Sequence, residues 1–452
     1  MITVYKNPDR EKLTDILQRP SYDLTKIDKV IKPVLEKVKR GGDKALRKFA
    51  LEYDHVELKD LWVSEKEFAT ADKEVSETLK DAINTAYENI YKFHEAQRQE
   101  ALVMEVMPGV VCSRRSVPIE KVGLYVPGGT APLFSTVLML GIPAKIAGCK
   151  EIIISSPTDR LGVTNPVILY TAKLIGVKRV LKLGGAQAIA AMAYGTESVP
   201  RVDKIFGPGN QYVTVAKQRV ARDSVAIDMP AGPSEVMVVI DEKADAAFAA
   251  SDLLSQAEHG IDSQVVLVTN TIEKANEVKK EIASQLDSLP RQEIARGALE
   301  KSAIIVLKEK NRIVETINDY GPEHLIINTK DAEELAEQVQ SAGSVFIGAY
   351  TPESAGDYAS GTNHTLPTNG WAKAFSGISL DSFVKKITYQ KITEEGLLHL
   401  GPTIEKMAEA ELLDAHKNAV TIRLKKLKEN GITGKSGKKS SKSNKGVLFR
   451  KG

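Results

Sequence analysis

Hydrophobic positions in the first hundred residues follow a helical period. The pattern is carried by two groups of apolar residues: Ile27, Val30, Ile31, Val34, Leu35 and Val38, then Leu79, Ile83, Ala86 and Ile90. Spacings of three and four residues place each group on one face of an amphipathic helix. Gly41-Gly42 is predicted to end the first helix, because glycine favours the conformation that closes a helix. The N-terminal region is therefore predicted to be helical.

From about residue 117 short apolar runs alternate with Ala-rich helical segments. The predicted strands are 122–126, 152–154, 180–183, 205–206, 236–240, 265–268, 304–307, 325–327 and 345–347, with helices at about 271–285, 311–319 and 331–341. This alternation is typical of parallel sheets with crossover helices. The chain has 452 residues, and two α/β domains fit that length better than one.

The C-terminal part of the chain has a different pattern. Strand signals stop after about residue 379, and 402–429 is a helical stretch rich in Ala, Leu, Glu and Lys. This piece is short for an independent core, so we expect it to pack on the rest of the chain or on a second subunit.

Composition excludes several classes of protein. Hydrophobic residues make up 42% and charged residues 27% of the chain, as in an ordinary globular protein. Apolar runs long enough to span a membrane are absent, and two cysteines without a CxxC motif indicate a reducing cytoplasm. Residues 434–452 carry seven Lys or Arg and no acidic residue. With Phe449 as their single aromatic residue, they are predicted to be a disordered tail and not a nucleic-acid-binding module.

Three glycine turns follow predicted strands. They are 125–130 (YVPGGT), 183–187 (LGGAQ) and 206–210 (FGPGN). Glycine lets the backbone approach a ligand closely, and a following helix N-terminus favours a phosphate. Turns at strand carboxyl ends are where open α/β sheets bind nucleotides, although such turns also serve simply to connect elements. The GxGxxG fingerprint of a standard dinucleotide site is absent.

Histidines next to carboxylates or amides form the second candidate site. Gln256 and His259 lie three residues apart at the end of a helix predicted over 244–258, which places them on one face. Glu323 and His324 open a strand, and their alternating directions favour separate roles in water activation and proton transfer.

Two further pairs lie nearer the C-terminus. Asp357 and His364 belong to a predicted loop containing Gly361, whereas Glu411 and His416 would point about 140° apart on an unbroken helix. We therefore predict a helix break near 412–414, with Asp414 as the N-cap of a second helix. His416 would then lie in the first turn, where the helix dipole favours a neutral imidazole.

These side chains suggest a metal site. His259 and His416 offer nitrogen, and Gln256 and Asp357 offer oxygen, a donor set that suits zinc without a standard HExxH motif. From the residues alone the chain is predicted to be an α/β enzyme that depends on a metal.

Five segments carry a resemblance to a known family. They are IDMPAGPSE at 227–235, SQAEH at 255–259, GPEHL at 321–325, SAGDYASGTNH at 354–364 and AEAELLDAH at 408–416. The chain resembles the histidinol dehydrogenase family from its N-terminal arm to about residue 430. That family usually has Gly where Leu412 stands.

The resemblance implies two similar incomplete Rossmann-like domains with parallel sheets, plus small helical N-terminal and C-terminal segments, in an intertwined homodimer. The expected domains are an N-terminal arm (1–20), a discontinuous first α/β domain (21–124 and 236–378), an NAD-binding second α/β domain (125–235), a C-terminal helical domain reaching the partner subunit (379–433) and the basic tail (434–452).

The resemblance also implies an activity. L-Histidinol would be oxidised to L-histidine through L-histidinaldehyde with two NAD, the final step of histidine biosynthesis. The alternative is a related zinc and NAD dehydrogenase of another small polar alcohol, such as a sulfonated polyol. A zinc hydrolase using Glu323 to activate water is a rival from a different reaction class.

Residue roles carry over with the motifs. One Zn²⁺ per subunit would be held by Gln256, His259, Asp357 and His416, and would bind the substrate. His324 would be the general base and Glu323 would activate water. The expected substrate contacts are Ser234, Gln256, His259, His324, Asp357, His364, Glu411 and His416, and the expected NAD contacts are Tyr125, Gln187 and Asn210.

Overall fold

A computed structural model describes residues 2–20, 24–128, 131–230 and 232–432. The predicted basic tail, 434–452, lies outside these residues. The described chain divides into two compact units. The first unit consists of residues 2–98 and 118–385, and the second consists of residues 99–117 and 386–432.

The strands include one at each of the nine predicted positions. They are β1 (Thr3–Lys6), β2 (Leu102–Met107), β3 (Val110–Pro118), β4 (Lys121–Tyr125), β5 (Glu151–Ser155), β6 (Val180–Leu181), β7 (Lys204–Phe206), β8 (Ala226–Ile227), β9 (Glu235–Ile240), β10 (Gln264–Thr269), β11 (Ala303–Val306), β12 (His324–Asn328), β13 (Ser344–Ile347) and β14 (Val384–Ile392). The additional strands, β1, β2, β3, β8 and β14, have no counterpart in the predicted set.

Helices connect these strands and precede them. They are α1 (Arg10–Ile16), α2 (Leu24–Tyr53), α3 (Glu65–Glu74), α4 (Glu77–Glu95), α5 (Phe134–Ala147), α6 (Pro166–Leu174), α7 (Gly185–Tyr194), α8 (Gln211–Asp223), α9 (Ala246–Ala257), α10 (Ile272–Leu286), α11 (Gln292–Leu299), α12 (Lys310–Tyr320), α13 (Ala332–Ala336), α14 (Glu353–Tyr358), α15 (Glu394–Ala410) and α16 (Asp414–Glu429). None of the helices in the described part of the chain is both long and apolar enough to span a membrane.

The first unit contains two parallel sheets with the same strand order. One sheet runs β1-β11-β10-β9-β12-β13 and the other runs β6-β5-β4-β7-β8. Counted from β9 or β4 as strand 1, both follow the order 3-2-1-4-5, and β1 adds an edge strand beside β11. The predicted α/β class with parallel sheets is confirmed.

Burial explains why the central strands read as continuous apolar runs. All six residues of β9 and all six of β10 are buried. Val236 and Val238 pack into the core on one face of the sheet, and Met237 and Val239 pack into the core on the other. A parallel sheet covered on both faces requires this pattern.

The N-terminal helices pack on the second sheet. Helix α2 packs against α7 and α8, α3 against α6, and α4 against α5. The predicted grouping of residues 21–124 with 236–378 does not match this packing. Helical periodicity shows that α2 has an apolar face, but not which sheet that face covers; here Ile31 and Leu35 join the core around Leu183 and Ile189.

Glycine interrupts α2 where the sequence predicts a helix end. Gly42 has φ 49° and ψ −139°, so the long helix consists of two helices joined at a kink. The carboxylate of Glu197 accepts a hydrogen bond from the backbone N–H of Asp43 at 2.7 Å and fixes the start of the second part.

The second unit combines a sheet with two helices. Its strand order is β14-β3-β2, and β2 pairs with β3 in antiparallel fashion. The prediction that strands stop after about residue 379 is wrong, because β14 occupies Val384–Ile392. Most β14 side chains are exposed and polar, so the strand lacks the apolar run by which the buried strands were recognised.

The predicted helix break lies between α15 and α16. Leu412 has φ 59°, a left-handed conformation that favours glycine, and its side chain is 86% exposed. Leu413, not Asp414, is the N-cap, and Asp414 is the first helical residue.

Candidate active site

A buried carboxylate and imidazole lie side by side at the amino end of β12. Glu323 precedes the strand and His324 is its first residue, and their exposed fractions are 6% and 4%. Gly321, with φ 61°, ends α12 in the left-handed conformation and turns the chain into this segment. Since β9 pairs with β12 through Val236 and His324, the start of β9 lies directly beside the pair.

The peptide groups of Glu235 hold both side chains. The backbone N–H of Glu235 donates to Oε2 of Glu323 at 2.9 Å, and its carbonyl oxygen lies 3.3 Å from Nδ1 of His324. A proton on Nδ1 would bond that carbonyl and leave Nε2 as the free base. Nε2 is buried and has no hydrogen-bond partner within the described chain. It is therefore the atom available to exchange a proton with a ligand.

Three carboxylates surround the His324 ring. Oxygen atoms of Glu323 and Glu353 lie 3.6 and 4.0 Å from Nδ1, and Oδ1 of Asp357 lies 3.5 Å from Nε2. Burial lowers the pKa of His324, but these carboxylates outweigh it and raise that pKa to about 10. In the metal-free chain the ring is therefore an imidazolium at neutral pH, and it becomes the neutral base described above when a bound cation offsets the carboxylate charge. Burial raises the pKa of Glu323 to about 8. The cluster is thus electronegative and suited to a cation.

Metal-compatible groups lie around the same point. Donor atoms of His259, Glu353 and Asp357 all lie within 4.8 Å of one another. Glu353 and Asp357 are four residues apart on α14, so they share a helix face. The sequence predicts a loop for Asp357, but the structure places it on this short helix.

Gln256 joins the group through Glu353. In the amide orientation that satisfies its neighbours, the nitrogen donates to the Glu353 carboxylate and the oxygen accepts from the backbone N–H of Glu235 at 3.2 Å. Nitrogen and oxygen donors from His259, Asp357 and Gln256 fit zinc chemically. The first unit therefore gathers three of the four predicted ligands.

The remaining predicted ligand, His416, belongs to the second unit together with Glu411. Both side chains are exposed there, Glu411 at the end of α15 and His416 in the first turn of α16. Their participation in the site stays a prediction.

His364 and Ser234 border the cluster. Nδ1 of His364 lies 3.0 Å from the Asp357 carbonyl, and Nε2 lies 3.2 Å from Oγ1 of Thr136. Burial lowers the pKa of His364 and favours its neutral form. Ser234 immediately precedes Glu235, and its carbonyl accepts from the N–H of Gln264 at 3.1 Å.

The three predicted NAD residues lie at the carboxyl end of the second sheet. The hydroxyl of Tyr125, at the end of β4, accepts from the N–H of Gly185 at 3.1 Å. Gln187, in the first turn of α7, donates to Asp54 at 3.2 Å. Asn210 caps α8 by accepting from the backbone N–H of residues 212 and 213.

This end of the second sheet has the geometry of a nucleotide crevice. Strands β4 and β7 are neighbours although the chain runs from β4 to β5, so the strand order reverses between them, where open sheets bind ligands. At the corresponding end of the first sheet, the oxygens of Asp241 accept from the backbone N–H groups of Lys243 (2.9 Å) and Lys330 (2.7 Å). Asp241 thus bridges the segments that follow β9 and β12, at the place that corresponds to the strand-order reversal in the second sheet.

Several site residues were not assigned from the sequence. Glu353 could have been found from its spacing of four before Asp357 in one short segment. Glu235 is the last residue of the motif at 227–235. Its role in the site comes from its backbone N–H and carbonyl groups, and a residue pattern does not show backbone contacts. Arg19, which pairs with the Glu235 carboxylate, and Asp54, which accepts from Gln187, come from distant parts of the chain, and the sequence contains no signal for either contact.

The fold and the site together define an α/β protein with a buried acid–base pair beside metal-compatible side chains. The profile of the family described as histidinol dehydrogenase matches residues 17–424. The chain belongs to the histidinol dehydrogenase family, which confirms the resemblance seen in the sequence motifs.

Individual relatives agree over nearly the whole chain. Histidinol dehydrogenase of Bacteroides thetaiotaomicron is 55% identical over 428 residues, covering 95% of this chain and all of that protein. The enzyme of Campylobacter jejuni (strain RM1221) is 51% identical over 430 residues, with 94% and 100% covered. A crystal structure of histidinol dehydrogenase from Elizabethkingia anophelis superposes with a TM-score of 0.92 at 51% identity, covering 94% of this chain and 99% of that one.

Proposed function

We propose that this protein oxidises L-histidinol to L-histidine through L-histidinaldehyde with two NAD⁺, the final step of histidine biosynthesis. The observation that carries the proposal is the buried Nε2 atom of His324, which has no hydrogen-bond partner in the described chain, on a ring that Glu323, Glu353 and Asp357 surround. A base at this position suits an alcohol whose proton leaves together with a hydride.

The two steps use the pair differently. In the first, Nε2 of His324 takes the hydroxyl proton as a hydride passes from carbon to NAD⁺. In the second, Glu323 takes a proton from water as it adds to the aldehyde, and the hydrate gives a second hydride to NAD⁺. One alcohol, one water and two NAD⁺ yield one carboxylate, two NADH and three protons.

The substrate would be held by a zinc ion and by direct contacts. Gln256, His259 and Asp357 are proposed ligands from the first unit, and His416 is the proposed fourth, with one zinc per subunit. Zinc, when bound, would hold the imidazole and amine of histidinol. Ser234, His364 and Glu411 are the proposed direct contacts, and the negative charge of Glu411 complements a cationic substrate.

NAD⁺ is proposed to bind the second sheet through Tyr125, Gln187 and Asn210. The strand-order reversal between β4 and β7 supports this position, as does the bridge that Asp241 forms at the corresponding place in the first sheet. The shared 3-2-1-4-5 order supports the description of the sheets as two similar incomplete Rossmann-like domains. The two free cysteines suit a cytoplasmic location.

We further propose an intertwined homodimer in which the C-terminal domain completes the partner's site. The second unit exposes apolar side chains on β2, including Leu102, Val103 and Met104 at 52–65%, and Leu413 beside the α15–α16 break at 42%. Surfaces of this kind mark protein contacts. Mixing His416→Ala chains with His324→Ala chains should restore one good site per heterodimer; no recovery under subunit exchange would contradict sharing.

Stoichiometry tests the function most directly. Purified protein given limiting L-histidinol and excess NAD⁺ should form two NADH per alcohol, measured at 340 nm. Chelation should abolish the reaction, and zinc should restore it. One NADH per alcohol, or full activity in verified metal-free protein, would overturn the proposal. A sulfonated polyol assayed in parallel distinguishes the alternative substrate.

A further inference from the structure

We propose that Arg19, in the N-terminal arm, is a positioning residue for the catalytic pair and acts through Glu235. Its guanidinium forms a bidentate ion pair with the Glu235 carboxylate: Nε donates to Oε2 at 2.6 Å and Nη2 donates to Oε1 at 2.9 Å. The two side chains are 17% and 3% exposed. Paired geometry of this kind fixes the direction as well as the position of a carboxylate.

The same guanidinium also contacts Tyr320, at the end of α12, just before Glu323 in the chain. Nη2 donates to the carbonyl of Tyr320 at 2.7 Å, and the guanidinium carbon lies 3.8 Å from the centre of the Tyr320 ring. The hydroxyl of Tyr320 donates to Oε1 of Gln264 at 2.8 Å. Arg19 thus joins the start of β9 to the end of α12, the two segments on either side of the catalytic pair.

The link from Glu235 to the chemistry is through its backbone. Its N–H bonds Glu323, and its carbonyl faces Nδ1 of His324. Loss of the Arg19 fork would leave a buried, uncompensated carboxylate, which would turn toward water or a new partner. That movement would shift the peptide groups that set the direction of Glu323 and the tautomer of His324.

This inference rests on the proposed function, because it assumes that Glu323 and His324 handle protons. Among the described residues, the hydrogen bonds of Arg19 reach Glu235, Tyr320 and Gly321, and none reaches a proposed zinc ligand or NAD contact. The effect expected from Arg19 is therefore on the chemical steps, with binding of NAD⁺ left intact.

The test compares Arg19→Lys, Arg19→Gln and, as control, Arg10→Gln. Arg10 lies in the same arm but forms an exposed pair with Asp319 at 3.4 Å. Arg19→Lys keeps the charge and removes the fork, so it should fold and lose about tenfold or more in kcat, with KM for NAD⁺ within about twofold. Arg19→Gln should lose more, and Arg10→Gln should behave as wild type.

A double variant separates positioning from general weakening. If Arg19 acts through the catalytic pair, Arg19→Lys should have little further effect on kcat in a His324→Gln background. Full additivity, or Arg19→Lys with wild-type kcat, overturns the inference. If His324→Gln alone were as active as wild type, the proposed function itself would fail, which is a distinguishable outcome.

Discussion

Nε2 of His324 lies 3.5 Å from Oδ1 of Asp357, so the proposed base and a proposed zinc ligand are immediate neighbours. A zinc ion held by Asp357 would therefore bind the substrate close to the atom that takes its proton. Binding and proton transfer would then be carried by different side chains, Asp357 and His324.

Replacing His324 with Gln should impair catalysis without removing the metal site. Loss of a positioned general base typically lowers the rate by about 10²–10⁴-fold, and we expect kcat for histidinol oxidation to fall in that range. His259→Ala should instead lose zinc, measured by calorimetric titration of metal-free protein. A His324→Gln protein that no longer bound zinc would contradict this division of roles.

Gly207 should be irreplaceable for steric reasons. It has φ 120°, and an added Cβ would overlap the carbonyl oxygen of Tyr125. Gly207→Ala should therefore destabilise the protein by about 3 kcal/mol or more and weaken NAD⁺ binding. Gly348→Ala is the matched control, because Gly348 has φ 90° but an added Cβ would meet nothing within 4 Å. Equal shifts in Tm for the two variants would argue against the proposed overlap.

Asp252 should make the metal-free protein less stable as the pH rises. Burial raises the pKa of Asp252 from 3.8 to about 7, so the native state holds a proton that the unfolded chain has released. The resulting stabilisation is complete below about pH 3.8 and is lost as the pH rises through 7.

Asp252→Asn removes this dependence and mimics the protonated side chain. We expect a gain in stability of about 1.5 kcal/mol at pH 5 that grows to about 4 kcal/mol at pH 8, measured by thermal unfolding with a chelator present. A stability difference between variant and wild type that does not change with pH would show that Asp252 titrates normally.

The two cysteines should differ sharply in reactivity. Burial raises the pKa of Cys149 to about 12, and its exposed fraction is 8%, whereas Cys112 is partly exposed. Since the thiolate is the reactive form, a disulfide reagent at pH 8 should modify one thiol rapidly in the native protein. Cys112→Ser should abolish that phase and Cys149→Ser should leave it; the reverse pattern would refute the assignment.

The sequence predicts buried strands well and long-range contacts poorly. The apolar runs of β9 and β10 are visible because both faces of a parallel sheet are covered. β14 cannot be predicted in the same way, because its side chains are mostly exposed and form no apolar run. The break beside Leu412 follows from a conflict of helix faces, and the structure shows that residue in the conformation glycine prefers.

The candidate site shows the same limit. Residues that are adjacent in the chain, such as Glu323 and His324, can be predicted as a functional pair from their side-chain chemistry. Arg19 and Glu235 are 216 positions apart, and their pairing depends on how β1, β9 and α12 are arranged in space. No local pattern contains that information.

The position of β14 limits how the protein can be shortened. Its residues complete a sheet whose other two strands come from 99–117, far earlier in the chain. A truncation after residue 385 would leave β2 and β3 as an isolated hairpin, which is marginally stable in water, with the β3 edge open to association. Removing the C-terminal helices as a separate module therefore requires a cut after β14, at about residue 393.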